Sequence, residues 1–203
     1  MITEIEKFFL KDTKFVTGAV SIEGLPSANI PEVAFIGRSN VGKSSIINAI
    51  LGQRIARVSN TPGRTRELNF FSVNNKLHIV DLPGYGYAKA SKSEIKGWNR
   101  LIYDYLRGRV ELRRIFMLID SRFGIKDNDL EMIKFLGDYA TTVQIILTKT
   151  DKLKASELKA VNEKTESEIK QHAILFNNII STSSVSKEGV NSVREEIYNL
   201  TQY

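Results

Sequence analysis

Short apolar runs alternate with amphipathic segments along most of the chain. Six runs have the length and composition of strands, and most are continuously apolar, as is typical of strands covered by helices on both faces. They span 32–37, 67–73, 76–82, 114–120, 141–148 and 177–183. Helical periodicity between them predicts helices over 43–52, 91–108, 128–138, 155–171 and 188–200. The alternation predicts an α/β fold with a doubly wound, mostly parallel sheet.

One connection departs from this alternation. Only Asn74 and Asn75 separate the second and third predicted strands, and a two-residue hairpin forces an antiparallel pair. We therefore expect one antiparallel edge strand. Residues 1–31 lack a clear pattern, although 14–20, "KFVTGAV", either adds a strand or packs along the sheet edge. The expected organisation is an N-terminal extension, 1–31, packed on a domain of residues 32–203.

Composition narrows the class of protein. The 203 residues are 42% hydrophobic and 26% charged, which is ordinary for one globular domain. The absence of cysteine excludes disulfides, thiolate zinc sites and cysteine nucleophiles. The two histidines, His78 and His172, lie in different predicted elements, so we expect structural roles for them. The N-terminal segment has no long uncharged run, and we expect a cytoplasmic protein without stable membrane association.

The positive charge is concentrated in the middle of the chain. Residues 1–36 carry a net charge of −2, residues 37–114 of +10, and residues 115–203 of −2. Within the central block, the stretch 86–114 is dense in lysine and arginine; these are Lys89, Lys92, Lys96, Arg100, Arg107, Arg109, Arg113 and Arg114. Such a stretch indicates either a surface for nucleic-acid phosphates or a solvated helix face.

The segment "GRSNVGKS", residues 37–44, fits the pattern G-x-x-x-x-G-K-[ST] between a predicted strand and a predicted helix. Glycines at 37 and 42 allow backbone N–H groups to point at phosphate oxygens, and the helix adds its positive N-terminal end. Lys43 is placed to reach the β- and γ-phosphates of a nucleotide, and the Ser44 hydroxyl to bind Mg²⁺.

Two further segments have the spacing of phosphate sensors. "TPGRT", residues 61–65, lies in a polar segment where a switch loop would be, and both Thr61 and Thr65 are candidates to complete the Mg²⁺ shell. "DLPG", residues 81–84, follows the third strand. Asp81 can hold Mg²⁺ directly or through water, and the Gly84 amide can sense the γ-phosphate.

Two loops at the ends of later strands indicate guanine recognition. In "TKTD", residues 148–151, Asp151 can accept hydrogen bonds from guanine N1–H and the exocyclic amine, and adenine offers no such pair. Lys149 would lie across the base and brace the phosphate loop. "STSS", residues 181–184, can supply backbone amides to guanine O6, with Thr182, Ser183 and Ser184 as candidates.

Taken in order, these motifs resemble those of translation-factor-type GTPases. The phrases "GRSNVGKSS", "TPGRTRELNFF", "DLPGYGYAKASKSE" and "TKTDKL" are similar to the EngB/YsxC (YihA) family of bacterial ribosome-assembly GTPases, over residues 14 to 200. The resemblance implies a P-loop NTPase fold of the Ras-like G-domain type. It also implies GTP hydrolysis, a role in maturing the large ribosomal subunit, and effects on growth and cell division.

Carried over by position, the resemblance implies the nucleotide-contacting residues and the metal ligands. The nucleotide contacts are Gly37, Arg38, Ser39, Asn40, Val41, Gly42, Lys43, Ser44, Gly63, Arg64, Thr65, Arg66, Glu67, Asp81, Leu82, Pro83, Gly84, Thr148, Lys149, Thr150, Asp151, Thr182, Ser183 and Ser184. The resemblance implies that Ser44 and Thr65 coordinate Mg²⁺ and that Asp81 binds it through water. It therefore favours Thr65 over Thr61. We expect a monomer that binds the large ribosomal subunit and its rRNA through the basic stretch 86–114.

The hydrolysis step is the least defined. Tyr85 follows Gly84 at the position where signalling GTPases carry a water-orienting glutamine, so we expect slow intrinsic turnover. The residues assigned to catalysis are Lys43, Thr65, Gly84 and Asn40. By resemblance to related GTPases, Asn40 helps hold a K⁺ ion against the phosphates, while its structural alternative is a turn residue. An alternative function is a nucleotide-gated interaction module for a membrane or division partner, with negligible turnover.

Overall fold

The structure is a computed structural model that describes residues 2–57, 67–86, 92–139 and 141–202, with 92–99 described as backbone only. It contains helices and strands in the following order: α1 Glu4–Lys11, β1 Thr13–Ala19, β2 Glu32–Gly37, α2 Lys43–Leu51, β3 Leu68–Val73, β4 Leu77–Asp81, α3 Lys92–Gly108, β5 Leu112–Asp120, α4 Asp127–Gly137, β6 Val143–Thr148, α5 Ala155–Ile169, β7 Ile180–Ser181 and α6 Val190–Asn199. Short 3₁₀ turns cover Ile22–Gly24 and Thr150–Lys152.

The strands form one seven-stranded sheet in the order β1-β3-β4-β2-β5-β6-β7. All neighbours from β4 to β7 are parallel, whereas β3 runs antiparallel to both β4 and β1. Asn74 and Asn75 have φ values of 51° and 52°, as a type I′ hairpin turn requires. The predicted mostly parallel α/β fold is confirmed. The antiparallel region is one strand wider than the hairpin itself requires, because residues 13–19 add β1 at the edge.

Helices cover both faces of this sheet. On one face α3, α4 and α5 pack over alternate strand residues such as Ala34 and Ile36. On the other face α1, α2 and α6 pack over Val33 and Phe35. Every residue of β2 is buried, which explains why its sequence is apolar without alternation.

The N-terminal helix α1 has no counterpart in the pattern-based prediction. Thr3 and Glu6 form a reciprocal capping box at its start, a signal that was present in the sequence as T-x-x-E. Phe8 and Phe9 are buried, and Phe8 meets Tyr198 of α6 edge to face at 5.2 Å between ring centroids. The helix is short and ends after two turns, so its periodicity alone was too weak to predict it.

A buried ionic cluster fastens α3 to the sheet, at the edge away from the predicted nucleotide motifs. Both oxygens of Glu32, at the start of β2, accept hydrogen bonds from Arg109, at 2.6 and 3.0 Å. Tyr105 of α3 donates to the same carboxylate at 3.0 Å, and His78 Nδ1 of β4 lies 3.3 Å from it. Burial raises the pKa of Glu32, but hydrogen bonds from His78 and Arg109 more than offset it, so the pKa lies below its ordinary value.

No helix in the described part of the chain is long and apolar enough to cross a membrane.

Candidate nucleotide-binding site

The loop between β2 and α2 has the backbone shape of a phosphate cradle. Asn40 has φ 61° and Gly42 has φ 101°, so two residues of the loop have left-handed backbone conformations before α2 begins at Lys43. A Cβ on Gly37 would lie 2.8 Å from Val41 Cγ1 and 3.0 Å from the Leu118 carbonyl oxygen. Only glycine fits at position 37 without moving β5 or the loop itself.

Lys43 and Asp81 bring the phosphate loop and the end of β4 together. The Lys43 ammonium forms an ion pair with the Asp81 carboxylate, and both side chains are largely buried. Ser44 follows Lys43 in the first turn of α2. A hydroxyl and a carboxylate at one sheet edge match the oxygen ligands and the water-mediated binding that Mg²⁺ prefers. The residues present therefore fit a Mg²⁺ site.

Backbone hydrogen bonds of Tyr85, the residue that follows "DLPG", join this segment to the phosphate loop. The Tyr85 amide donates to the Gly37 carbonyl, and the Ser39 amide donates to the Tyr85 carbonyl, both at 3.2 Å. A Cβ on Gly84 would approach the Gly37 oxygen to 3.3 Å and the Ser39 nitrogen to 3.4 Å. Gly84 thus lies against the phosphate loop, and a side chain at this position would crowd the loop backbone.

The Tyr85 side chain turns away from this loop into the core between the sheet and α4. Its ring is 4% exposed, and its hydroxyl donates to Asp129 Oδ1 at 2.7 Å. Asp129 Oδ2 in turn accepts from the Lys126 amide at the start of α4. Burial and the neighbouring Asp129 carboxylate raise the pKa of Tyr85 well above its ordinary value. The side chain after Gly84 is therefore an anchor to α4.

The loops after β6 and β7 meet at Asp151. Ser183 Oγ donates to Asp151 Oδ1 at 2.6 Å, and this hydrogen bond lowers the pKa of the carboxyl. The amides of Thr182 and Ser183 donate to the carbonyls of Leu147 and Glu188. The Thr182 hydroxyl also donates to Leu147. Among the three residues predicted to contact guanine O6, Ser184 is the one whose amide donates to no backbone carbonyl of the described chain.

Lys149 and Thr148 support the phosphate loop from β6. Lys149 has φ 59°, and its ammonium donates to the Asn40 carbonyl at 2.7 Å and lies 2.9 Å from Asp120 Oδ2. The buried Thr148 hydroxyl donates to the Val41 carbonyl at 2.7 Å. Two of the predicted base-site residues therefore also hold the loop in place through their side chains.

Asp120 is the acidic residue that the sequence analysis missed. It ends β5 and accepts hydrogen bonds from Arg122 and Lys149, which outweigh the effect of burial and lower its pKa. Its position at the end of a buried strand was the available signal. Asp120 orients Lys149, and through it the phosphate loop.

Part of the predicted site lies outside the described residues, namely Gly63, Arg64, Thr65 and Arg66, together with the alternative Thr61. Glu67 is described and exposed, beside Gly18 of β1. Glu67 lies just before β3, at the sheet edge where β4 ends in Asp81, and its contact with the nucleotide stays a prediction. Arg38, Leu82, Pro83 and Thr150 lie on the loops that meet at this edge.

The basic stretch 86–114 divides into buried and exposed cations. Arg109 belongs to the Glu32 cluster, and Arg114 pairs with Glu196 at 2.8 Å and lies over the Phe176 ring. The prediction that the whole stretch faces RNA is therefore wrong for these two arginines, whose charges are neutralised inside the protein. Arg100, Arg107 and Arg113 are exposed. Lys89 lies outside the described residues, as do the side chains of Lys92 and Lys96.

The sheet carries the phosphate loop, Asp81 and Asp151 at the carboxyl ends of its parallel strands, an arrangement that defines the class as a P-loop GTPase. A family model described as "50S ribosome-binding GTPase" matches residues 32–149. A probable GTP-binding protein EngB of Rhodospirillum rubrum is 48% identical over 195 residues, covering 93% of this chain and 84% of the relative. The EngB of Bradyrhizobium diazoefficiens is 47% identical, covering 97% and 92%. The chain belongs to the EngB family of GTP-binding proteins.

Solved structures support the fold. A crystal structure of a probable GTP-binding protein EngB has a TM-score of 0.64 at 22% identity, covering 84% of this chain and 98% of the other. A structure of Era in complex with MgGDPNP and nucleotides 1506–1542 of 16S ribosomal RNA has a TM-score of 0.65 at 23% identity, covering 86% and 57%. Membership of this GTPase family supports GTP hydrolysis by the chain, and confirms the predicted family.

Proposed function

We propose that this protein is a GTP-dependent switch in the assembly of the large (50S) ribosomal subunit, and that cells need it for normal growth and division. The observation that carries the proposal is the direct backbone pairing of Gly37 and Ser39 with Tyr85. The chain then runs within a few residues into α3, the helix of the basic stretch. The name of the matching family model and the RNA bound by Era support a ribosomal partner.

The organisation that goes with this function is a GTP-binding domain of residues 32–203 with residues 1–31 as an extension packed on it. The pairing of β1 with β3 and the packing of α1 on α6 support this division. The protein acts in the cytoplasm as a monomer.

The described residues have distinct roles toward the nucleotide. Lys43 neutralises the β- and γ-phosphates, the Gly84 amide senses the γ-phosphate, and Asp151 selects guanine. Mg²⁺ would be held by Ser44 and Thr65, with Asp81 acting through water, and would neutralise charge that develops on the phosphate oxygens. The ion pair between Lys43 and Asp81 places the phosphate-binding cation beside the residue that would hold Mg²⁺ through water.

The protein supplies little of its own for orienting the attacking water. The Tyr85 hydroxyl is hydrogen-bonded to Asp129 and does not orient the water, so intrinsic hydrolysis is slow. The ribosomal particle supplies the missing catalytic group. Asn40 sits in a left-handed turn with its carbonyl held by Lys149, which leaves the side chain amide as the group that would help hold K⁺. Faster GTP hydrolysis in KCl than in NaCl, measured with and without large subunits, tests this role; equal rates exclude it.

Co-sedimentation with ribosomal subunits tests the main proposal. The protein is incubated with GDP or a non-hydrolysable GTP analogue and with large or small subunits, over a series of salt concentrations. We expect selective binding to large subunits in the GTP-analogue state, weakening steeply with salt because phosphate neutralisation supplies much of the affinity. Binding that ignores the nucleotide, or a preference for small subunits, would contradict the proposal.

A further inference from the structure

A groove of about 1020 Å³ runs between α1, α2 and α6, on the face of the sheet opposite α3. Among the described residues, its cationic lining consists of Arg54, Arg57, Lys187 and Arg194, and Glu6 is its one acidic lining residue. The α1 and α6 walls lie outside residues 32–149, the part matched by the family model. Ser184, a predicted guanine contact, also lines the groove, but none of the nucleotide-site roles described above uses the groove's arginines or its lysine.

The loop that carries two of these arginines is held in place on both sides. Asn48 of α2 exchanges two hydrogen bonds of 2.8 Å with the backbone of Ala56, and Gln53 donates to the Thr13 carbonyl at 3.0 Å. Arg54 and Arg57 are exposed at the surface of this fixed loop. The cations therefore project from a preorganised backbone, which lowers the entropic cost of binding.

Arg194 changes the electrostatics of the groove floor. The C-terminal carbonyls of a helix carry partial negative charge and would repel an anion. Arg194 donates to the carbonyls of Ile50 and Ala49 at 2.8 and 3.1 Å, and so neutralises the end of α2. Glu6 is compensated in turn, because it accepts from Asn191 at 3.3 Å and lies 3.9 Å from Arg194. The exposed Arg54, Arg57 and Lys187 therefore make the electrostatic potential of the groove positive.

We propose that this groove binds the phosphodiester backbone of an RNA strand, as a second RNA-contacting surface on the face opposite α3. Guanidinium groups match phosphate geometry, and Ser45, Asn48 and Asn191 add polar side chains to the lining. Leu10 is the one large, exposed hydrophobic residue among the lining residues, whereas surface binding to lipid needs a larger apolar face. The identity of the RNA as ribosomal rests on the proposed function.

The test compares two charge-reversal variants of equal net charge. R54E/K187E alters the groove, and K134E/K164E alters exposed lysines of α4 and α5 on the other face. Affinity for labelled polyuridylate and for large ribosomal subunits is measured over a salt series, with the GTP analogue bound. Fluorescent GDP binding reports on the nucleotide site, and RNA affinity is measured with the GTP analogue at a concentration that saturates each variant.

We expect R54E/K187E to lose at least about tenfold in RNA affinity, with a salt slope shallower by about 1.4, because each phosphate contact on a single strand contributes about 0.7. K134E/K164E should bind like the unaltered protein. If R54E/K187E binds RNA as tightly as the unaltered protein, or if both variants are weakened equally, the groove is not an RNA-binding site. Either result would leave the proposed ribosomal function intact. Binding to anionic lipid vesicles is measured for the same proteins. A loss of vesicle binding by R54E/K187E, with RNA binding unchanged, would also overturn the proposed RNA site. If the unaltered protein binds no large subunits, the proposed function itself fails.

Discussion

At the scale of single residues, Tyr85 shows how one side chain can be excluded from catalysis by its packing. Its backbone pairs with the phosphate loop, while its hydroxyl is bonded to Asp129 in the core. The sequence showed that glutamine was absent, but it could not show where the tyrosine points, because the partner lies 44 residues away in α4. The two halves of the residue therefore have separate roles, which a substitution can distinguish.

Replacing Tyr85 with Phe removes the hydroxyl and leaves the buried Asp129 carboxylate short of a donor. We expect a loss of about 1–3 kcal/mol in the free energy of unfolding, measured by urea denaturation, with unchanged single-turnover GTP hydrolysis. The exposed Tyr103→Phe serves as the control and should cost less than about 0.5 kcal/mol. A large fall in hydrolysis with unchanged stability would show instead that Tyr85 acts on the reacting groups.

Asp151 is the second residue whose environment allows a sharp test. Asp151→Asn replaces an acceptor facing the guanine amine by a group that can also donate, and the Ser183 hydroxyl retains an oxygen partner. We expect GTP affinity to fall by on the order of 100-fold, because hydrogen bonds to a charged group are lost. Affinity for xanthosine triphosphate, which has a carbonyl at that position, should rise. Competition binding measures both, and the exposed Asp127→Asn should change neither.

Motifs of local spacing predict where residues lie along the sheet edge, but they carry no information about contacts with distant partners. Lys43, Gly84 and Asp151 follow from motifs of a few residues each. Arg109 and Arg114 looked like their exposed neighbours, yet their carboxylate partners are 77 and 82 residues distant. Burial of a long charged side chain is decided by tertiary packing, which spacing along one helix does not contain.

At the scale of elements, α3 is attached to the sheet through residues that the structure describes with their side chains. Its C-terminal half is fixed to the sheet by Leu101, Ile102 and Tyr105, which are buried, and by the Glu32 cluster. Glu32 begins β2, the strand that ends in the phosphate loop, and His78 belongs to β4, the strand that ends in Asp81. The cluster thus aligns α3 with both strands that carry the phosphate-sensing residues.

Removing the cation from this cluster should be costly. In Arg109→Ala, the Glu32 carboxylate stays buried without its cationic partner, and we expect about 3–5 kcal/mol of destabilisation by urea unfolding. The exposed Arg107→Ala on the last turn of α3 is the matched control, with an expected cost below about 0.5 kcal/mol. If both variants unfold at the same urea concentration, the cluster does not stabilise the fold.

The pH dependence of stability provides a second readout of the same cluster. The folded pKa of Glu32 lies below its ordinary value of 4.5, so its contribution is present above that pH and is lost as pH falls through the folded pKa. Unaltered protein should therefore lose more stability than Arg109→Ala as the pH falls below 4.5. Parallel stability curves for the two proteins would contradict the assigned ion pair.

Strands and helices were predicted well wherever the period of the hydrophobic pattern was unambiguous. The helix predicted at 155–171 is observed as Ala155–Ile169, and the strand predicted at 32–37 is observed unchanged. The strand predicted at 177–183 shortens to Ile180–Ser181. As the last strand of the sheet, it has a hydrogen-bonded neighbour on one side only, so its apolar run does not require full pairing.

At the scale of the whole molecule, the sheet separates two cationic surfaces. Arg100 and Arg113 are exposed around α3, and Arg54 and Lys187 line the groove on the opposite face. A net charge of +6 distributed in this way favours a partner that surrounds the protein over one that meets a flat patch.

If the large subunit contacts both faces at once, their contributions should be independent. The variants R100E/R113E and R54E/K187E share no contacts, and effects of separated sites usually add in free energy. We therefore expect the quadruple variant to lose large-subunit affinity by the product of the two individual fold-changes, in titrations at one fixed salt concentration with the GTP analogue bound. A quadruple variant no weaker than the weaker double variant would mean that the particle engages one face at a time. GTP affinity is measured in parallel, and the analogue is used at concentrations that saturate all four proteins, because Lys187 lies in the same loop after β7 as the predicted guanine contacts.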